Sequence, residues 1–232
     1  MDDRTGLDAR ILGWRESARR GLADAASPLV KPLAQAGITA DQLSWAGFAL
    51  AVLAALFAGF RVFIAAGIIY LLAGIFDLLD GALARRAERS NAGGAFLGSM
   101  LARAGEIAIH AGAAVAFAWW GWWVGVLAVV LSLSGSYLAS HARARAEGLG
   151  VTLEEVWFGR GERLILLSLG LIFHFALVAF WILAVLGWAS AVYRSLLVRR
   201  RLAPAPETKS QDDVPAPPES SAPASDADSD SD

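Results

Sequence analysis

Five apolar runs, Leu43 to Phe60, Val62 to Phe76, Ala104 to Trp119, Trp122 to Ala139 and Leu164 to Tyr193, fill most of the middle of this chain. With 232 residues, 56% of them hydrophobic and nine of them Trp, the chain holds more apolar surface than a soluble domain of that length can bury. Its mean hydropathy is +0.49. It belongs in a bilayer, as an all-α integral membrane protein. One crossing takes roughly 20 predominantly apolar residues. The shorter runs are extended by polar helical turns, Asp77 to Arg86 after the second and Ala92 to Arg103 before the third, which sit at or just inside one membrane face. The last run, thirty residues long, is too long for one ordinary crossing and splits near Phe173 and His174.

Charge placement favours that split. Arg10, Arg15, Arg19, Arg20 and Lys31 precede the first run, and Arg85, Arg86 and Arg89 follow the second. Arg143, Arg145, Arg160 and Arg163 follow the fourth, Arg194, Arg199, Arg200 and Arg201 follow the last, and only Arg61 lies in an opposite loop. The excess of arginine on one side predicts six transmembrane helices with both termini cytoplasmic, in a multi-pass protein of a bacterial-type inner or cell membrane. Trp119, Trp120, Trp122 and Trp123 then form an aromatic belt at the outer face.

Three segments follow. Residues 1–36 are juxtamembrane: Ile11, Trp14, Ala18 and Leu22 recur at helical spacing beside arginines, which predicts an amphipathic surface helix and not a cleaved signal peptide. Residues 37–202 are the membrane domain. Residues 203–232 are rich in Pro, Ala, Ser and Asp, hold eight acids and one lysine, and are too polar to offset their ordering entropy. The rest of the chain carries a net charge of +5, so the overall pI of about 5.9 hides a basic membrane domain. The tail is expected to be solvated, with cation binding or a fold back onto the basic face as alternatives. Zero cysteines exclude disulfides and thiolate metal sites. No nucleic-acid partner is expected.

The chemistry gathers at the end of the second run. Asp77, Asp80, Gly81, Ala84 and Arg85 spell D-x-x-D-G-x-x-A-R, and Gly94 follows after eight more residues. Asp77 and Asp80 are three apart, so on a helix they share a face with Ala84 one turn on. Carboxylates at the end of a membrane helix are costly unless they meet a cavity, a metal or an arginine. They therefore mark a functional site, or else an ion-paired cluster with Arg85, Arg86 or Arg103.

This run with its spaced glycine resembles the signature of the CDP-alcohol phosphatidyltransferases, membrane enzymes that move a phosphatidyl or similar phosphoryl group from a CDP-linked donor to an alcohol. Gly37-Ile38-Thr39-Ala40-Asp41-Gln42-Leu43-Ser44-Trp45-Ala46-Gly47 is similar to the family's G-[IL]-T-P-N-x-[LI]-T-x-x-G entry to the first span, with Ala40 and Asp41 in place of Pro-Asn. Ser140 to Glu147 and Arg160-Gly161-Glu162-Arg163 look like the S-Y-x-R-A-R-A-E and R-x-E-R stretches of the phosphatidylinositol-phosphate synthase branch, with His141 for tyrosine. The resemblance implies that Asp77 and Asp80 bind Mg or Mn, and that Asp77, Gly81, Ala84 and Arg85 hold the CDP group. It also implies that Arg143, Arg145, Arg160 and Arg163 receive the acceptor's phosphate. Those arginines equally suit plain positive-inside charge. The implied partners are membrane lipid, a CDP-linked lipid donor, and a second copy in a homodimer or an active relative.

The family pattern continues G-x-x-x-D-x-x-x-D, which would put aspartates at 98 and 102. Gly98 and Ala102 stand there. The resemblance implies four aspartates holding two ions, with the later one as base, so this chain is expected to bind metal weakly or not at all and to be an impaired enzyme or pseudoenzyme. Alternatives are an active transferase with an atypical single-metal centre, and a membrane scaffold or regulatory partner. Glu106 and His110 continue the four-residue spacing as possible stand-ins for the base, each about 6 Å further along the axis. Gly94, Gly98 and Ala102 form a small-residue ladder, which predicts that the third helix closes into the space that metals take in active relatives.

Overall fold

The structure is a computed structural model that describes residues 30–86, 92–153 and 158–203. The expected surface helix around Trp14, Arg89 and the tail beyond Ala203 lie outside the described residues. Six long or medium helices follow one another: α1 (Ala40–Gly59), α2 (Phe63–Arg86), α3 (Ala92–Trp119), α4 (Trp123–Gly148), α5 (Arg160–Ile172) and α6 (Ala176–Arg201). The described residues contain no strand. Five of the helices are long and apolar enough to cross a membrane; α5, with 13 residues, is not by itself.

Local chemistry sets the helix ends. Gly37 turns with φ of +73°, a conformation that favours glycine, and delivers the chain to Thr39. The Thr39 hydroxyl accepts from the Gln42 amide at 3.2 Å while the Thr39 amide donates to Gln42 Oε1 at 3.0 Å, a capping box that starts α1. The polar turns expected to lengthen the second and third runs do so: α2 runs through Asp77 and Asp80 to Arg86, and α3 begins at Ala92. The long last run breaks at Phe173 to Phe175, with His174 at φ of +62°, between α5 and α6. At the end of the bundle that holds Arg61, its guanidinium lies 5.8 Å from the ring centroids of both Trp119 and Trp120.

Inside lipid there is no water to drive helices together, so packing rests on close van der Waals fit at small residues. α1 packs against α2 and α3, α2 against α5, and α4 against α6. Gly112 of α3 lies so close to α1 that a Cβ there would run into the Ala55 carbonyl oxygen. Gly135 of α4 and Gly187 of α6 meet similarly, each Cβ position lying 3.1 Å from the other's backbone. The small-residue ladder of α3 therefore serves the approach to α1: Gly94 faces Asp41 and Gly98 faces Ser44. A cavity lined by Gly98, Asp77 and Asp80 remains, which counts against the expected closure of the third helix into the metals' space.

Gly112→Val should destabilise the bundle by about 3 kcal/mol, because overpacking at a backbone contact has nowhere to relax. Gly148→Ala, in open space, should be near neutral. Thermal unfolding of the purified protein in detergent checks both.

Candidate functional site

Two carboxylates of α2 face the middle of the bundle at its polar end. Asp77 Oδ1 accepts from Arg160 Nη1 at 2.8 Å, a contact that joins α2 to the first turn of α5 across 83 residues of chain. Both side chains are about one-third exposed (31%). Asp80 Oδ2 accepts a short hydrogen bond from Ser44 Oγ of α1. In the ion-paired alternative weighed from the sequence, the partner of Asp77 is Arg160, which was not among the arginines named for it.

Positions 98 and 102 stand opposite. A Cβ at Gly98 would lie 3.2 Å from Ser44 Oγ and 3.7 Å from Asp80 Oδ2, so any side chain at 98 would be directed at Asp80. Gly98 and Ala102 line a cavity of about 30 Å³ together with Ser44, Tyr70, Asp77, Asp80, Glu106 and Arg160. A water needs about 10–15 Å³ of such space. The cavity is thus on the scale of a few waters or one small ion, and a nucleotide would have to lie outside it.

A second cavity of about 10 Å³ adjoins it, sharing Tyr70, Glu106, Arg160 and Leu164 and adding His110, Ser132 and Arg163. Glu106 is buried there and fully engaged: Oε1 accepts from Ser136 Oγ and lies 3.4 Å from Arg163 Nε, while Oε2 accepts from Arg103 Nη1 at 3.1 Å. His110 Nδ1 donates to the Glu106 carbonyl at 2.7 Å, and Nε2 pairs with the Ser132 hydroxyl at 3.1 Å. Both groups considered as stand-ins for the base therefore hold structural partners from α3, α4 and α5.

The arginines divide. Arg160 and Arg163 line the cavities, whereas Arg143 and Arg145 are exposed and line neither; Arg143 pairs with Glu147 at 2.8 Å on the surface of α4. Arg85 is exposed, with Nη1 lying 3.4 Å from where a Cβ at Gly81 would sit. Among the described residues no cluster of three or more His, Cys, Asp or Glu side chains is arranged to hold a metal ion. Among the polar residues of the cavities, Ser44, Tyr70 and Ser132 were not singled out from sequence. Ser44 carried a signal, since it occupies the final Thr position of the G-[IL]-T-P-N-x-[LI]-T entry. Tyr70, within an apolar run, carried none.

Residues 38–193 match the family model for CDP-alcohol phosphatidyltransferase. The chain belongs to that family. The matched region spans α1 to α5 and most of α6, and the apolar helices make this member an integral, multi-pass membrane protein. It is 35% identical over 173 residues to an archaetidylinositol phosphate synthase of Pyrococcus horikoshii, covering 74% of this chain and 89% of that one. A phosphatidylinositol phosphate synthase of Mycobacteroides abscessus is 32% identical over 192 residues, covering 80% and 85%. The crystal structure of Mycobacterium tuberculosis phosphatidylinositol phosphate synthase with CDP-DAG bound superimposes with a TM-score of 0.65 at 26% identity, covering 75% of this chain and 93% of that one. The same enzyme has been solved in complex with manganese and citrate.

Glu106→Gln should cost about 3–5 kcal/mol, because it leaves the buried Arg163 without its counter-charge. Glu147→Gln, at the exposed pair with Arg143, should cost less than about 1 kcal/mol. The two melting temperatures, measured in the same detergent, test that ranking.

Proposed function

We propose that this protein is a member of the phosphatidylinositol-phosphate synthase branch that keeps the donor side of the transfer site and has lost the means to turn it over. One observation carries the reading. Position 98 is directed at Asp80 and position 102 lies on the same cavity wall, and neither residue brings an oxygen ligand or a base. The two remaining carboxylates sit on one helix, and each already has a partner within the chain. That donor set does not fit the pair of divalent ions implied by the family resemblance, and Mg or Mn is held weakly or not at all.

The chain's own residues still suit binding. Gly81 and Ala84 leave room for a nucleotide to approach α2, and Arg85 beside them is exposed and available to a phosphate. Arg160 and Arg163 suit a phosphorylated polyol, since their planar forks bond phosphate bidentately. Arg143 and Arg145 serve at the surface rather than in the cavity. The names of the relatives support inositol phosphate as the acceptor class and CDP-diacylglycerol as the donor. Residues 37–202 form the functional domain. Counting α5 as a sixth, short crossing puts both termini and the site on the cytoplasmic face. The working form is a homodimer or a complex with an active relative.

A second reading, turnover with a single cation, draws on the cavity of about 30 Å³ beside Asp77 and Asp80. Release of CMP decides between them. General base catalysis contributes about 10² to 10⁴ in rate. With CDP-diacylglycerol, inositol phosphate and manganese, the unmodified protein should therefore release CMP at least about a hundredfold more slowly than the Mycobacterium tuberculosis enzyme. The double variant Gly98→Asp/Ala102→Asp should gain manganese-dependent release. Rapid release by the unmodified protein, abolished by EDTA, would establish the single-cation enzyme instead.

A further inference from the structure

The charges around the two cavities balance without a divalent ion. Three carboxylates, Asp77, Asp80 and Glu106, line them, and three guanidiniums, Arg103, Arg160 and Arg163, line or contact them. Aspartates at 98 and 102 would raise the negative count to five and demand cations from outside. Their absence removes that demand, and Arg160 supplies the positive partner of Asp77.

Arg160 is placed to do more than neutralise. Its Nη1 is committed to Asp77 at 2.8 Å, and the same side chain lines both cavities and remains about one-third exposed (31%). A guanidinium offers five N–H donors in a rigid fork, so one edge can hold a carboxylate while another holds a phosphate oxygen. A divalent ion performs that same bridging task between an aspartate and a diphosphate. We infer that Arg160 is the resident cation of this site: it bridges Asp77 to the diphosphate of a CDP-linked lipid, so that the chain binds the donor without a metal ion. The inference rests on the donor-keeping reading proposed above and moves Arg160 from the acceptor's phosphate to the donor's diphosphate, leaving Arg163 to the acceptor. No bond forms or breaks in this step.

Manganese then competes with Arg160 for Asp77 instead of assisting it. The experiment measures the affinity of the full-length protein in detergent for CDP-diacylglycerol, in EDTA and in manganese, alongside CMP release. Binding in EDTA should equal or exceed binding in manganese. Arg160→Gln should weaken it by about 10- to 100-fold, the scale of one or two hydrogen bonds to a charged group. Arg160→Lys, which keeps the charge and loses the fork, should recover only part. Asp77→Asn, which frees the guanidinium from its carboxylate, should tighten binding severalfold, whereas in a metal-bridged site it would abolish binding. Melting temperatures show that each variant is folded, and Asp77→Asn supplies the opposite sign if Arg160→Gln fails to fold.

Binding that needs manganese and is lost in Asp77→Asn, without CMP release, would overturn the role of Arg160 and leave the impaired-enzyme reading standing. The same metal dependence together with rapid CMP release would overturn both. Absence of donor binding in either condition would also overturn the inference.

Discussion

A charge within a membrane bundle must meet a partner of its own, and this requirement organises the polar end of the structure. A charged residue at the centre of a lipid-spanning helix costs about 2.5–3.5 kcal/mol even on the mildest scales, so ionisable groups turn inward and pair. Asp77 pulls α2 to α5 through Arg160. Glu106 holds α3 to α4 through Ser136 and to α5 through Arg163. Buried Arg194 ties α6 to α4 by donating to the Ala139 carbonyl. The short helix α5, which by length alone would contribute little, receives two of these ties, from Asp77 and from Glu106.

Those ties act on a frame set by backbone contacts. α1 and α3 approach at Gly112 until a carbonyl occupies the space of a side chain, and α4 and α6 do the same at Gly135 and Gly187. Close approach on the α1 side turns Gly98 toward Ser44 and Asp80, and it leaves the cavity between α2 and α3 open. Gly98 and Ala102, which carry no carboxylate, do not close this space. The cavity persists, walled by two satisfied aspartates and an arginine.

Much of the architecture was legible in the chain because it follows from local composition. Apolar runs, their polar extensions and the break beside His174 are one-dimensional signals, and hydrophobicity in a bilayer translates them directly into helices. The D-x-x-D-G-x-x-A-R run was legible for the same reason, since helical spacing alone puts Asp77 and Asp80 on one face. The four arginines 143, 145, 160 and 163 were not separable in this way. Positive-inside charge and phosphate binding use the same residue, and only the packing of α5 against α2 distinguishes Arg160 from exposed Arg143. Ser44 and Tyr70 join the site from α1 and from the middle of α2, which no spacing within the signature could have indicated.

The sequence by itself determined that this is a helical membrane protein of the CDP-alcohol phosphatidyltransferase family, and that positions 98 and 102 lack carboxylates, because hydropathy, helical periodicity and a spaced motif are properties of the chain taken in order. Only the tertiary structure decided what the remaining charges do. It brought Arg160 to Asp77 and Arg163 to Glu106, because an ion pair between helices depends on how backbones cross, and α2 meets α5 closely where Gly67 and Gly74 leave room for Ile172 and Leu164.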